Sequence, residues 1–189
     1  MATVLGAVPF GMQRVLAAPG DPTDIEILNY ALTLEHLEYA FYRDQLPRFK
    51  SNKFNRYNRY APRGSKAYEL FTDIRDHEGA HVQTLTETIL SLGGTPVPEL
   101  TYNFGVDSVE EFVMLAQTFE NTGVSAYIGV IALIDSPALQ TAGASIATVE
   151  ARHAAFLNLL NGTSPFPAAF DVPKTMEEVV AAITPFIVA

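Results

Sequence analysis

The sequence predicts an all-α fold: an up-down bundle of four long helices with one long crossover, plus an N-terminal arm and a short C-terminal helix. In four segments, apolar residues recur at helical spacing. Each segment begins or ends at a capping residue, a glycine or a proline. With 189 residues, 48% of them hydrophobic, the chain can bury one core. We expect an arm over residues 1–23, the bundle over 24–162 and an extension over 163–189.

The first helix is predicted from Asp24, taken as its N-cap, to about Leu46. Its apolar stripe includes Leu28 and Tyr42, and Glu35 lies on the same stripe. A carboxylate in the middle of an apolar face is unusual, since buried charges need a partner. Glu35 is therefore a candidate functional residue.

Residues 47–63 are predicted to form a long connection, because two prolines bracket polar and aromatic residues without a period. More than half of the 12 Lys and Arg residues fall between positions 48 and 66. A basic, aromatic loop could bind single-stranded nucleic acid. The net charge of −9 opposes such a partner, so we expect the aromatic side chains to pack on the bundle and the basic ones to pair with acidic neighbours.

The second helix is predicted from Ser65, as its cap, to Leu92, where two glycines follow. The third is predicted over 109 to about 134, because Ser108 and Glu111 match a capping box.

The fourth helix is predicted from Pro137 to Leu160. The turn before it has only two or three residues, so the third and fourth helices are expected to be antiparallel neighbours. Residues 95–107 could span about 43 to 47 Å when extended, which is enough for a crossover along the bundle. A short helix is predicted near 175–184.

Six side chains suited to metal binding lie near the middle of the four predicted helices. They are Glu35, Glu78, His81, Glu120, Glu150 and His153. Four of them form two Glu-x-x-His pairs, in which a spacing of three places both side chains on one helix face. Because mid-helix residues meet at one level of a bundle whichever way each helix runs, the six are expected to converge.

Four buried carboxylates would repel one another by about 4 kcal/mol per pair at 4 Å and an effective dielectric constant of 20. Two divalent cations would balance four glutamates, and two imidazoles would complete their ligand shells. The chain has no Cys, which excludes thiolate zinc sites and iron–sulfur clusters. The pattern therefore predicts two iron or manganese ions, between which ligands of this kind do not discriminate.

The chain resembles the ferritin-like superfamily over about residues 24–162. The segments NYALTLEHLEYAFY (29–42) and DHEGAHVQTL (76–85) are most similar to the ferritin-like-domain family that includes the desiccation-related proteins. The resemblance implies terminal ligation by Glu35 and Glu120, with bridging or His-assisted ligation by the two Glu-x-x-His pairs.

Two tyrosines lie on the apolar stripes. Tyr42 resembles the helix-one tyrosine of ferritins and rubrerythrins, which implies a catalytic role for it. The stripe positions of Tyr42 and Tyr127 alone favour core packing over a redox role.

Glu38 is an alternative ligand from the first helix, three residues after Glu35. We favour Glu35, because Glu35 lies on the apolar stripe and Glu38 lies at its flank.

The expected activity is metal redox chemistry with oxygen or hydrogen peroxide as the partner, of a ferroxidase, peroxidase or catalase kind, linked to stress protection. An alternative is a non-catalytic stress or desiccation-related scaffold with a structural or vestigial metal site. A lesser alternative is a zinc peptidase, since His77-Glu78-Gly-Ala-His81 matches His-Glu-x-x-His. That assignment leaves Glu150 and His153 unexplained.

The first 20 residues are apolar and end in Ala17-Ala18-Pro19, which resembles the tail of a secretory signal without its basic start. An arm that docks on the domain is the alternative. Export is slightly favoured over a cytoplasmic location. No apolar run reaches the 18 residues that a membrane span needs, and a homo-oligomer stays open.

Overall fold

This computed structural model describes residues 20 and 22–188. The described residues contain five α-helices and four 3₁₀ segments. The α-helices are α1 Asp24–Gln45, α2 Ala67–Ser91, α3 Val109–Val130, α4 Pro137–Leu160 and α5 Met176–Ile183. These residues include no β-strand, only an isolated bridge between Tyr102 and Ile187. The expected N-terminal arm and export signal fall almost wholly outside the described residues.

The four long helices form the expected up-down bundle, in which α1 packs along α2, α3 packs along α4, and α1 also contacts α3. The crossover between α2 and α3 follows α1 from end to end. Asn29 bonds to the backbone of Thr95 and Val97 near the start of α1, and Arg43 pairs with Glu99 near its end, at 2.9 Å. The prediction of an all-α bundle with one long crossover is confirmed.

The N-cap of α1 is Thr23, and the prediction of Asp24 was wrong. The Thr23 hydroxyl accepts from the Glu26 N–H, and the Glu26 carboxylate accepts from the Thr23 N–H at 2.7 Å. This capping box satisfies two donors at once, which one Asp cap cannot do. The Asp24 carboxylate instead accepts from the backbone N–H groups of Asp135 and Ser136, so it ties the start of α1 to the α3–α4 turn.

The start of α2 also differs from the prediction, because Ser65 does not cap it. Lys66 occupies the N-cap position, and its backbone N–H donates to the Glu69 carboxylate at 2.9 Å. The first helical N–H, that of Ala67, donates to the Asn58 side-chain oxygen at 2.9 Å. A residue of the preceding connection therefore supplies the missing acceptor.

The basic connection is more regular than expected, since Ser51–Tyr60 forms a 3₁₀ helix. Phe54 and Tyr57 are buried, and Arg56 forms an ion pair with Glu110 of α3. The segment thus closes one end of the bundle with its aromatic side chains, and Arg56 ties it to α3.

The α-helical part of α3 ends at Val130, earlier than predicted, and Ile131–Leu133 continues as a tighter 3₁₀ turn. The C-terminal extension packs on α3 through α5, where Val179 and Ile183 are buried. The extension approaches α3 closely at Gly129. A Cβ on that residue would lie 2.0 Å from the carbonyl oxygen of Lys174.

The described helices include none with the combined length and apolar character that crossing a bilayer requires.

Candidate metal centre

The six predicted side chains meet in the middle of the bundle, and we call them the mid-bundle cluster. Each long helix contributes one carboxylate, and all four carboxylates are fully buried. The two histidines are almost fully buried. The members are Glu35, Glu78, His81, Glu120, Glu150 and His153.

The cluster divides into two groups of four residues, each with ligand atoms within 4.8 Å of one another. The first group is Glu35, Glu78, His81 and Glu150, and the second is Glu78, Glu120, Glu150 and His153. Both groups include Glu78 and Glu150. Two adjacent sites that share two carboxylates are the arrangement a dinuclear centre needs.

The spacing around each histidine fits an ion better than a hydrogen bond. His81 Nδ1 lies 3.1 Å from one oxygen each of Glu35, Glu78 and Glu150. A single N–H cannot donate to three well-aligned acceptors. Adjacent ligands of a six-coordinate ion lie about 3 Å apart when each bond is about 2.1 Å, so these atoms are spaced as ligands.

Three carboxylate oxygens in the cluster are buried and have no hydrogen-bond partner: Glu78 Oε1 and both oxygens of Glu150. Glu150 Oε1 and Glu78 Oε1 do lie close to His81 Nδ1 and His153 Nδ1, but without the geometry of a hydrogen bond. Buried anionic oxygens without a donor are costly. The donor set of the cluster, carboxylate and imidazole, fits a hard or borderline divalent metal.

A family model described as ferritin-like domain matches residues 23–163. The chain belongs to the ferritin-like domain family. The chain is also similar to protein rds1 of Schizosaccharomyces pombe (strain 972 / ATCC 24843), at 26% identity over 170 residues, which are 90% of this chain. The chain spans only 40% of the length of that relative.

The carboxylates of this ferritin-like domain have perturbed acidity. Burial, and then the charge of Glu150, raise the pKa of Glu120 to about 7. Burial and the charges of Glu150 and Glu78 raise the pKa of Glu35 well above its ordinary range, although His81 opposes this. Protons therefore compete for these oxygens when no cation is bound.

The histidines are perturbed in the opposite sense to what burial alone would cause. Burial lowers the pKa of His153, but the adjacent carboxylates of Glu120, Glu150 and Glu78 outweigh burial and raise it to about 12. The pKa of His81 is raised for the same reason. The cluster thus attracts positive charge, which either protons or metal ions can supply.

Two tyrosines of the ferritin-like domain connect α1 and α3, because each bonds to the cluster glutamate of the other helix. The Tyr42 hydroxyl donates to Glu120 Oε1 at 2.6 Å, and the Tyr127 hydroxyl donates to Glu35 Oε1. Each tyrosine follows the glutamate of its own helix by seven residues. The expectation of core packing therefore covers only part of their role, because both are buried and also bond to a cluster carboxylate.

Glu38, which the sequence places at the flank of the apolar stripe, is buried. It belongs to neither ligand group, but burial and then the charges of Glu150 and Glu120 raise its pKa. Gly123 makes room for it, since a Cβ on Gly123 would lie 3.1 Å from Glu38 Oε1. Glu38 follows Glu35 on α1 by three positions, and Gly123 follows Glu120 on α3 by three positions. The two helices therefore differ at this equivalent position, where α1 has a carboxylate and α3 has no side chain. Gly123, a residue without a side chain on the buried face of α3, was the signal in the sequence that a neighbouring helix could place a side chain there.

His77 is exposed, but it contacts the cluster from outside. Its Nδ1 lies 3.0 Å from Nε2 of His153, and the two rings are within 10° of parallel. His153 faces the carboxylates with Nδ1, so Nε2 is free to carry the ring proton toward His77. Neither ligand group includes His77.

Proposed function

We propose that the mid-bundle cluster holds two redox-active divalent metal ions, iron or manganese, and that the protein uses them to reduce oxygen or hydrogen peroxide. The observation that carries this proposal is the pair of ligand groups that share Glu78 and Glu150. The buried oxygens without partners on those same two residues support it. Four carboxylates and two divalent cations also balance in charge.

In this proposal the shared residues Glu78 and Glu150 would hold both ions. Glu35 and His81 would complete the site of one ion, and Glu120 and His153 would complete the site of the other. Carboxylates can change between terminal and bridging ligation, so the same residues can follow changes in metal charge. A pair of ions held together supplies two electrons to one oxidant molecule.

The protein's own residues control water and protons around the cluster. The four carboxylates are buried, so bulk water is excluded from most of the site. We assign a catalytic role to Tyr42, whose hydroxyl proton is held at Glu120 Oε1. Glu38 is a further buried acid, and its raised pKa favours a proton on its carboxyl group.

We place this chemistry in stress protection because residues 29–42 and 76–85 resemble the desiccation-related members of the family. The test is loading of metal-free protein with Fe(II) or Mn(II) without oxygen, followed by elemental analysis and addition of oxygen or peroxide. We expect about two ions per chain and rapid consumption of an oxidant.

Glu78→Ala and Glu87→Ala are matched variants for this test, since both lie on α2 and Glu87 is exposed. Glu78→Ala should lose metal and activity, and Glu87→Ala should keep both. Equal behaviour of the two variants would refute the assignment.

The non-catalytic scaffold would be favoured by one outcome: metal that raises the melting temperature of a protein that consumes neither oxidant. The zinc peptidase gains no support from the described residues, because His77 contacts His153 and lies outside both ligand groups.

A further inference from the structure

An apolar cavity of about 70 Å³ lies at the end of the bundle where α1 begins. All four long helices line it, almost entirely with hydrophobic side chains. Three of its four hydroxyls are engaged elsewhere, and the fourth belongs to Thr84, which is exposed. Those of Thr88 and Ser145 donate to backbone carbonyls of their own helices, and that of Tyr127 donates to Glu35.

The cavity lies directly against the mid-bundle cluster. Its lining includes Ala31 and Ile146, which precede Glu35 and Glu150 by four residues, and Leu85, which follows His81 by four. Four residues are one helical turn, or about 5.4 Å. Tyr127 also lines the cavity, and its hydroxyl reaches Glu35. One layer of side chains therefore separates the empty space from the proposed metals.

The opposite side of the cluster is filled. There, Tyr42 packs edge-on against Phe41 at 5.2 Å between ring centres, and Phe112 stacks on Phe41 at 4.9 Å. Phe71 packs on Phe112 at 5.2 Å. The two sides of the cluster match in their ligand residues, but aromatic rings pack beside Tyr42, whereas Tyr127 borders the cavity.

The cavity has an opening to solvent between α2 and α4. Thr84, Ala142 and Ser145 line it and are exposed. A small molecule can therefore enter from the surface and reach the layer next to the cluster without unfolding of a helix.

We infer that this cavity binds dioxygen and delivers it to the metal centre, so that the oxidant is dioxygen and not hydrogen peroxide. This inference rests on the proposed function and narrows it. A dry apolar cavity of about 150 Å³ binds benzene or xenon, so a cavity of about 70 Å³ is too small for an organic ring but accepts a diatomic gas. Hydrogen peroxide would lose most of its hydrogen bonds to water there, because the lining is almost entirely apolar and three of its four hydroxyls already donate to other groups.

The reaction balances with the two ions that the proposal places in the cluster. One dioxygen molecule would accept two electrons, one from each divalent ion, and two protons from solvent, and it would leave as hydrogen peroxide. The two ions would then be trivalent.

The test combines xenon binding with oxidant kinetics. Crystals of zinc-loaded protein, in which the metal does not change oxidation state, are pressurised with xenon. Gly143→Leu is chosen to fill the cavity, since the atoms nearest to a Cβ on Gly143 would be side-chain atoms of Ile131 and Ile134, at ordinary contact distances of 3.8 to 3.9 Å. Ala144→Leu is the matched control, because it is the next residue of α4 and does not line the cavity.

We expect a xenon peak in the cavity of the unmodified protein and of Ala144→Leu, and none in Gly143→Leu. In iron- or manganese-loaded protein, Gly143→Leu should slow the reaction with dioxygen about tenfold, equivalent to about 1.4 kcal/mol in activation free energy. The reaction with added peroxide should be unchanged.

Absence of xenon from the unmodified protein overturns the inference. So does equal slowing of both oxidants, or no slowing, in Gly143→Leu, and these outcomes leave the proposed function standing. Xenon bound by a metal-loaded protein that consumes neither oxidant refutes the proposed function and the assignment of the cavity together.

Discussion

The carboxylates in the centre of the bundle differ in the hydrogen bonds that they accept when no metal is bound. Glu35 and Glu120 each receive a tyrosine hydroxyl, whereas Glu150 receives no hydrogen bond at either oxygen. The carboxylates with a donor match the proposed terminal ligands, and Glu150 matches a proposed bridge. A bridging carboxylate uses both oxygens on metal and has none to spare for a donor.

His77 is expected to support metal binding without being a ligand. Its Nδ1 can accept the Nε2 proton of His153, which would fix the ring that ligates through Nδ1. We predict that His77→Ala lowers metal affinity about tenfold but keeps two ions per chain at saturation. Metal titration checks this. An unchanged affinity would show that the contact has no role, and zinc-dependent peptidase activity abolished by the change would restore the rival assignment.

Tyr42 is predicted to serve turnover more than metal retention. Tyr42→Phe removes the hydroxyl that donates to Glu120 and keeps the ring in its aromatic packing. Metal content should stay at two ions per chain, and oxidant consumption should slow about tenfold or more if the proton is used. Tyr39→Phe on the same helix, half-buried beside Arg43, is the control. Equal rates in both variants would reduce Tyr42 to core packing.

At the level of elements, periodicity was enough to predict four long helices, because an apolar stripe must face a core. Pro137 and Leu160 were predicted as the bounds of α4 and are found there. The cap of α2 could not be predicted, since its acceptor belongs to Asn58, nine residues before Ala67, in a segment without a recognisable period.

The six residues of the mid-bundle cluster could be identified from spacing alone, because spacing fixes the helix face. The burial of Glu38 could not be predicted in this way, because it depends on the space left by Gly123 on another helix. His77 is exposed on α2, and its contact with His153 of α4 could not be predicted from the spacing of residues along one helix.

The C-terminal extension approaches α3 so closely at Gly129 that no side chain fits between them. Gly129→Ala would place a Cβ 2.0 Å from the Lys174 carbonyl oxygen, so the extension must shift. We predict a loss of about 1 to 3 kcal/mol in unfolding free energy.

Gly143→Ala on α4 is the control for that change, since its Cβ would make only ordinary contacts. It should be neutral or gain up to about 1 kcal/mol from helix propensity. Chemical denaturation measures both variants, and equal effects would show that the extension is not held against α3.

For the molecule as a whole, the buried cluster couples stability to pH. Without metal, Glu120 has a pKa raised to about 7 from 4.5, and the pKa values of Glu35 and Glu38 are also raised. A raised folded-state pKa contributes stability that is complete below the unfolded value and is lost as pH rises through the folded value. The raised pKa values of His81 and His153 act in the same direction above their unfolded value of 6.5.

We therefore predict that metal-free protein melts several degrees higher at pH 5 than at pH 8. Metal-loaded protein should show the opposite slope, because protons compete with metal for carboxylate and imidazole ligands. Thermal melts of both forms at the two pH values check this. Parallel slopes would contradict a metal site built from these residues.

Anomalous scattering from crystals grown with Fe(II) or Mn(II) is the most direct test for two metal ions in the mid-bundle cluster. We predict two peaks about 3.5 to 4 Å apart, both between the carboxylates of Glu78 and Glu150, at the edge of the corresponding metal. A cluster without anomalous density after saturation with metal, or a single ion held between His77 and His81, would contradict this prediction.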